Sequence, residues 1–388
     1  MEEIYHIPAM LKETIDGLAI KPNGVYVDVT FGGGGHSRAI LNHLTPALSQ
    51  GEGEKTCGQN EGHLYSFDQD IEAYENAIRE QPHPNPPHEG EGSRMTSGIT
   101  DDAGFVNDPR WTFVHSNFRY LRNWMDYYGV KEIDGLLADL GVSFHHFDCP
   151  ERGFSFRFSA PLDMRMNQTS KRTAADIVNG YSEEELAKIF WLYGEMKNGK
   201  GIAKNICKAR SQKPILRTEE LIKNLTPTLS SREGGIHILE NGEIEVPAQY
   251  KKDLARLFQA LRIEVNDEMG ALREMLVAAR DMLKPGGRIA ILTYHSLEDR
   301  LVKNFLRSGN LEGTIEKDFY GNILTPFEII EKGRTACAEE VERNPRSRSA
   351  KLRVGRKITP PRESSTTVHW TLDRAELFTP QGRETTPP

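Results

Sequence analysis

The sequence predicts an α/β fold, an open parallel sheet interrupted by an inserted all-helical domain. Three observations predict it: short apolar strands alternating with helical stretches, a run of four glycines directly after one strand, and a long strand-free gap filled with helix patterns. Strands are expected at 25–30, 64–68, 111–115, 133–140 and 288–294, with helical segments between most of them. The gap between Leu140 and Arg288 carries helical stretches at 182–193, 199–211, 218–225 and 251–283 instead. Part of it must therefore be a separate domain, after which the sheet resumes with the helix before Lys284-Pro-Gly-Gly287.

The first strand runs into Tyr26-Val-Asp-Val-Thr-Phe-Gly-Gly-Gly-Gly-His-Ser37, and a helix-like segment follows. Four glycines together suit a loop whose backbone passes close to a ligand at the carboxyl end of a strand. A dinucleotide fingerprint counted from Gly32 would need glycine where Ser37 stands. Asp28, just before the loop, would repel a pyrophosphate but accept hydrogen bonds from a cationic amino group. The pattern points to S-adenosylmethionine rather than NAD. The bland alternative is a glycine-rich turn without a ligand.

The chain has 388 residues, 37% hydrophobic and 27% charged, which suits a soluble protein with one large or two smaller cores. No apolar run approaches the roughly 20 residues of a membrane span. Met1-Glu-Glu-Ile-Tyr lacks the basic start of a signal peptide, so the expected location is cytoplasmic. Cys57, Cys149, Cys207 and Cys337 form no C-x-x-C pair, and neither a disulfide framework nor a metal is expected. His145, His146, Asp148 and Cys149 crowd one loop, but adjacent histidines seldom converge on one ion.

Leu44-Thr-Pro-Ala-Leu-Ser recurs as Leu225-Thr-Pro-Thr-Leu-Ser, and Pro82-His-Pro-Asn-Pro-Pro has similar character. Such composition cannot build a core. The expected organisation is a sheet domain at 1–145 with insertions about 44–62 and 81–105. A helical substrate-recognition domain follows at 146–250 with an insertion about 225–236, then the rest of the sheet domain at 251–358 and a mobile tail at 359–388.

Acids end successive strands. Asp68 is placed to accept both ribose hydroxyls of an adenosyl group, Phe118 to lie against adenine, and Asp139 to face the site of transfer. Each alone is an ordinary strand-end residue; together beside the glycine loop they describe a pocket.

Eight blocks now stand in order: His6-Ile-Pro-Ala-Met-Leu, Asp28-Val-Thr-Phe-Gly-Gly-Gly-Gly-His-Ser37, Asp134-Gly-Leu-Leu-Ala-Asp-Leu-Gly-Val-Ser143, Arg152-Gly-Phe-Ser-Phe156, Pro161-Leu-Asp-Met-Arg-Met166, Phe258-Gln-Ala-Leu-Arg-Ile-Glu-Val-Asn266, His295-Ser-Leu-Glu-Asp-Arg300 and Asn344-Pro-Arg-Ser-Arg-Ser349. From His6 to about Lys357, insertions apart, the chain resembles the bacterial 16S ribosomal RNA cytosine-N4 methyltransferases (MraW/RsmH family). The resemblance implies a Rossmann-like class I S-adenosylmethionine-dependent methyltransferase with a helical insertion. It implies methylation of the exocyclic amine of one cytidine in the decoding region of 16S rRNA of the small ribosomal subunit. It also implies methyl-donor contacts from Gly34, Gly35, His36, Asp68, Phe118, Asp139 and His146. Two blocks depart from the family: His146 stands where a glutamine is usual, and Tyr193-Gly-Glu-Met-Lys replaces Tyr-Gly-Glu-Glu-Arg. An imidazole cannot present an amide's donor and acceptor together.

Asp139 is the expected catalytic residue, accepting a hydrogen bond from the amine or orienting it. DNA amine methyltransferases carry Asp/Asn/Ser-Pro-Pro-Tyr/Phe after the fourth strand; Leu140-Gly-Val-Ser143 stands here and disfavours DNA. The net charge of −7 argues against nucleic acid, but the distribution of charge argues for it. Lys197, Lys200, Lys204 and Lys208 share one helix face. Arg343, Arg346, Arg348, Lys351, Arg353, Arg356 and Lys357 form a second basic run, expected to touch phosphate. Arg165 and Arg300 are expected near the target nucleotide, unless each simply pairs with a neighbouring acid. The competing functions are an amine methyltransferase on another nucleic acid and a non-catalytic, cofactor-binding assembly factor. The sequence fixes no oligomeric state, and a homodimer is compatible with it.

Overall fold

A computed structural model describes residues 8–44, 61–78, 105, 108–142, 149–225 and 237–358. Seven strands form one sheet: β1 (Val25–Asp28), β2 (His63–Asp68), β3 (Trp111–His115), β4 (Ile133–Asp139), β5 (Leu283–Thr293), β6 (Phe327–Thr335) and β7 (Lys351–Lys357). Their order across the sheet is β3-β2-β1-β4-β5-β7-β6. β1 to β5 run parallel, whereas β7 pairs antiparallel with β5, and β6 antiparallel with β7. The expected all-parallel sheet thus gains an antiparallel edge.

Central strands read as continuous apolar runs because helices cover both faces. In β4 every residue from Ile133 to Ala138 is buried. On one face Phe67, Met125, Leu136, Leu276 and Phe305 pack together; on the other Tyr26, Ile40, Leu64, Leu137 and Leu292 do. A third core is built mainly by helices, joining Leu186, Phe190, Ile202 and Ile206 to Leu257 and Leu261. The long helix expected over 251–283 is two, Ala248–Asn266 and Glu268–Met282, broken at Asp267 with φ 47°.

The parallel register brings functional ends level. Asp28 pairs with Ser66 and Leu137, Asp68 with His115, and Asp139 with Leu292. The strand order reverses between β1 and β4, the switch point where a crevice opens at the carboxyl ends.

Two side chains fix the loop at 163–166 beside that rim, and one of them, Arg152, moors it to the sheet. Arg152, 7% exposed, donates to Asp70 Oδ2 at 3.1 Å, Glu72 Oε2 at 3.0 Å and the carbonyls of Arg165 and Met166 at 3.0 and 3.1 Å. Asn266 accepts from the Met166 amide and donates to the Met164 carbonyl, both at 2.8 Å. These bonds hold Met164 at φ 62°, a left-handed conformation that a non-glycine residue adopts only when its surroundings impose it. Replacing Arg152 by Met removes a buried cation from Asp70. We expect a stability loss of roughly 3–5 kcal/mol, read as a lower urea midpoint at pH 7; an unchanged midpoint would show that the mooring is dispensable.

Candidate active site

The glycine loop is tied down from below. Asp28 is fully buried; its Oδ2 accepts from Ser37 Oγ at 2.7 Å and its Oδ1 from the Thr30 amide at 3.1 Å. Ser37 Oγ also meets Ser66 Oγ at 2.8 Å, which receives Trp111 Nε1 at 2.9 Å. Asp28 therefore lies beneath the loop and does not face the cavity, unlike the direct contact expected of it. Thr30 Oγ1 accepts the Asp139 amide at 2.6 Å, and the Gly32 amide donates to Asp68 Oδ2 at 2.9 Å. Gly34 (φ 76°) starts the helix Gly35–Leu41; a Cβ there would sit 2.8 Å from Phe31 and 2.9 Å from Phe105.

A cavity of about 480 Å³ opens above this loop. Gly35, His36, Asp68, Phe118 and Asp139 all line it, as does Arg346, while Gly34 stands behind the wall. His146 lies outside the described residues. Gln69, Tyr294, Gln259 and Arg262 were not expected in the wall. Tyr294 was legible in principle, because it follows β5 at the level where Asp139 ends β4.

Asp139 keeps 17% of its side chain open to the cavity. The Tyr294 hydroxyl donates to its Oδ1 at 2.6 Å. Burial pushes the Asp139 carboxyl up to about 7; the Tyr294 hydrogen bond opposes that rise and the negative Glu298 adds to it. Burial and the Asp139 charge raise the Tyr294 phenol well above 10, so it remains a donor. His36 Nε2 lies 3.2 Å from the Ala9 carbonyl, and Nδ1 is 3.7 Å from Asp139 Oδ2. Burial lowers the His36 pKa and favours the neutral ring.

Behind Tyr294, the ligand atoms of Glu268, His295 and Glu298 lie within 4.8 Å of one another. This triangle is a brace for the strand end. His295 Nδ1 accepts the Glu298 amide at 3.4 Å, which puts the ring proton on Nε2, where a metal would need a lone pair. Glu268 already grips Arg262 through two bonds of 2.8 and 2.9 Å. Burial alone would raise Glu298, but His295, the Tyr294 amide and Arg262 outweigh it and hold the carboxyl below its usual range.

The basic residues separate into committed and open ones. Arg165 donates to Asp163 at 2.7 and 2.8 Å and to the carbonyls of Gln168 and Ser170, so it shapes its own loop. Arg300 pairs with Glu195 at 2.8 Å. Within the run at 343–357, Arg353 is bound by Asp299 and Arg356 pairs with Glu328. Lys197, Lys200 and Lys204 are exposed on and beside the Gly199–Arg210 helix, and Arg348 is exposed near Arg346.

The family model described as "MraW methylase family" matches residues 3–80 and 103–358. Curated relatives named "Ribosomal RNA small subunit methyltransferase H" from Phocaeicola vulgatus and Bacteroides thetaiotaomicron are each 49% identical over 357 residues, 92% of this chain and 98% of theirs. A solved rRNA methylase from Streptococcus thermophilus aligns over 91% of this chain and 99% of its own at 11% identity, with a TM-score of 0.36, too low to bear on function.

Gly34→Ala is expected to unsettle the loop through both its positive φ and the clash with Phe31 and Phe105. A loss of about 1–3 kcal/mol should appear as a lower thermal midpoint; wild-type stability would refute the steric argument.

Proposed function

The chain belongs to the MraW methylase family, and from that premise we propose that it methylates the exocyclic N4 amine of a cytidine in the decoding region of 16S rRNA, in the small ribosomal subunit, with S-adenosylmethionine as donor. One observation carries the reading: the Asp139 carboxylate, held by Tyr294, stands in the same wall as the glycine loop and Asp68.

The residues suit that donor. Gly32, at φ 52°, would carry a Cβ no nearer than 4.0 Å to any protein atom, so its bare backbone forms an open cradle. Asp68, steadied by the Gly32 and Asp70 amides at 2.9 Å each, suits ribose hydroxyls, and Phe118 suits a flat base. When bound, S-adenosylmethionine supplies a sulfonium methyl whose carbon–sulfur bond breaks, the pair returning to sulfur, as the carbon–nitrogen bond forms. Asp139 accepts a hydrogen bond from the amine and draws the nitrogen lone pair out of conjugation with the ring. It then accepts the proton that the methylated nitrogen sheds; a carboxyl near 7 is suited to taking and releasing it at neutral pH. Tyr294 fixes the carboxylate's orientation, and His36, kept neutral, adds no competing charge.

Lys197, Lys200, Lys204 and Arg348 offer open cations for the rRNA backbone, and Arg346 reaches the cavity mouth. Arg165 and Arg300 act through their loops and partners.

Labelled-methyl transfer to small subunits lacking the modification, followed by nucleoside mass spectrometry, should yield N4-methylcytidine with wild type. Asp139→Asn should lower kcat about 10²–10³-fold; full activity in that variant would remove Asp139 from the mechanism. Because only ionised Asp139 accepts, activity should rise with pH through about 7 and then level. Tyr294→Phe, which removes the bond that lowers the Asp139 pKa, should move the rise to higher pH. A flat profile in wild type contradicts the assignment. Replacing Lys197, Lys200 and Lys204 by Gln should weaken subunit binding and reduce the slope of log affinity against log salt by roughly 2, leaving donor affinity intact; an unchanged slope places the rRNA elsewhere.

A further inference from the structure

The cavity has two sides of different origin. Asp139 belongs to the sheet, whereas Gln259 belongs to the Ala248–Asn266 helix, whose apolar face builds the core of the helical insertion. Gln259 is half-buried in the wall, and its Nε2 donates to the Tyr193 carbonyl at 2.9 Å. That bond settles the orientation of the amide, since exchanging N and O would set two acceptors face to face. No described donor reaches its Oε1.

A cytosine amine has two N–H groups and a lone pair spread into the ring. One acceptor can orient it, but two, each drawing on one hydrogen, hold the nitrogen pyramidal with its lone pair turned toward the methyl. We propose that Gln259 Oε1 is the second acceptor, so that the target amine is gripped between a carboxylate from the sheet and an amide carbonyl from the insertion; this rests on the cytidine-N4 reading above.

Two consequences follow from the chemistry. Uracil presents a carbonyl oxygen where cytosine has its amine, and two acceptors facing it would repel it, so the pair selects the base as well as activating it. A monomethylated amine has only one N–H left, and its methyl would have to displace one of the polar contacts, so transfer stops after one round.

The test uses the full-length protein and small subunits lacking the modification. Gln259→Met preserves volume and removes the acceptor. It should lower kcat about ten- to hundredfold with the S-adenosylmethionine Kd within about twofold of wild type, and N4,N4-dimethylcytidine should appear on prolonged incubation. An unchanged kcat overturns the inference. So does a fall in kcat that comes with a lowered thermal midpoint and no dimethylated product, which would make Gln259 only a tether for Tyr193. Absence of methyl transfer by the wild-type protein would instead overturn the functional reading, and the inference with it.

Discussion

The mouth of the sheet depends on one buried carboxylate. Asp28 has no access to solvent, so its carboxylate must find its hydrogen-bond partners within the protein. It binds the Thr30 amide at the start of the glycine loop and Ser37 at the start of the following helix, and Ser37 passes the connection to Ser66 in β2 and Trp111 in β3. Thr30 passes it to the Asp139 amide at the end of β4. Four strands, the loop and the proposed acceptor Asp139 thus share one hydrogen-bonded knot. Orphaning any buried member would cost about 1–3 kcal/mol. Asp28 matters to the site because it positions the glycine loop and the end of β4 that line the cavity.

A second constraint is the junction between sheet and insertion. The loop at 163–166 is held in a strained form by Arg152 and Asn266, and Met166 enters the same cavity wall as Gln69 and Phe118. The helical core therefore does more than carry the exposed lysines of the Gly199–Arg210 helix. It completes the cavity with Met166, Gln259 and Arg262, and its placement relative to the strand ends sets the geometry of the site.

The first five strands were readable because buried parallel strands leave nearly unbroken apolar runs, and the cavity because glycines and strand-end acids leave their own marks. β7 escaped because its chemistry looks like something else. Leu352 and Val354 are buried, but Lys351, Arg353, Arg356 and Lys357 dominate its composition and suggested a phosphate-binding run. In the fold Asp299 and Glu328 answer Arg353 and Arg356 locally. Arg165 was legible both as a nucleotide contact and as the partner of a neighbouring acid, and in the fold it pairs with Asp163 two residues away. Gln259 was hidden for a different reason, since it becomes significant only through Tyr193, 66 residues away; Tyr294, 155 residues from Asp139, was signalled only by its place just after β5.

β6 forms one border of the sheet, and two register shifts interrupt its pairing with β7. A border strand offers unpaired backbone groups to any neighbouring chain. Here the irregular ladder spoils a continuous template, and the strand carries two acids, Glu328 and Glu331, followed by two cations, Lys332 and Arg334. An incoming strand would have to match both the kinks and the charges. The same rim that closes the sheet thereby discourages one copy from adding its strands to the next.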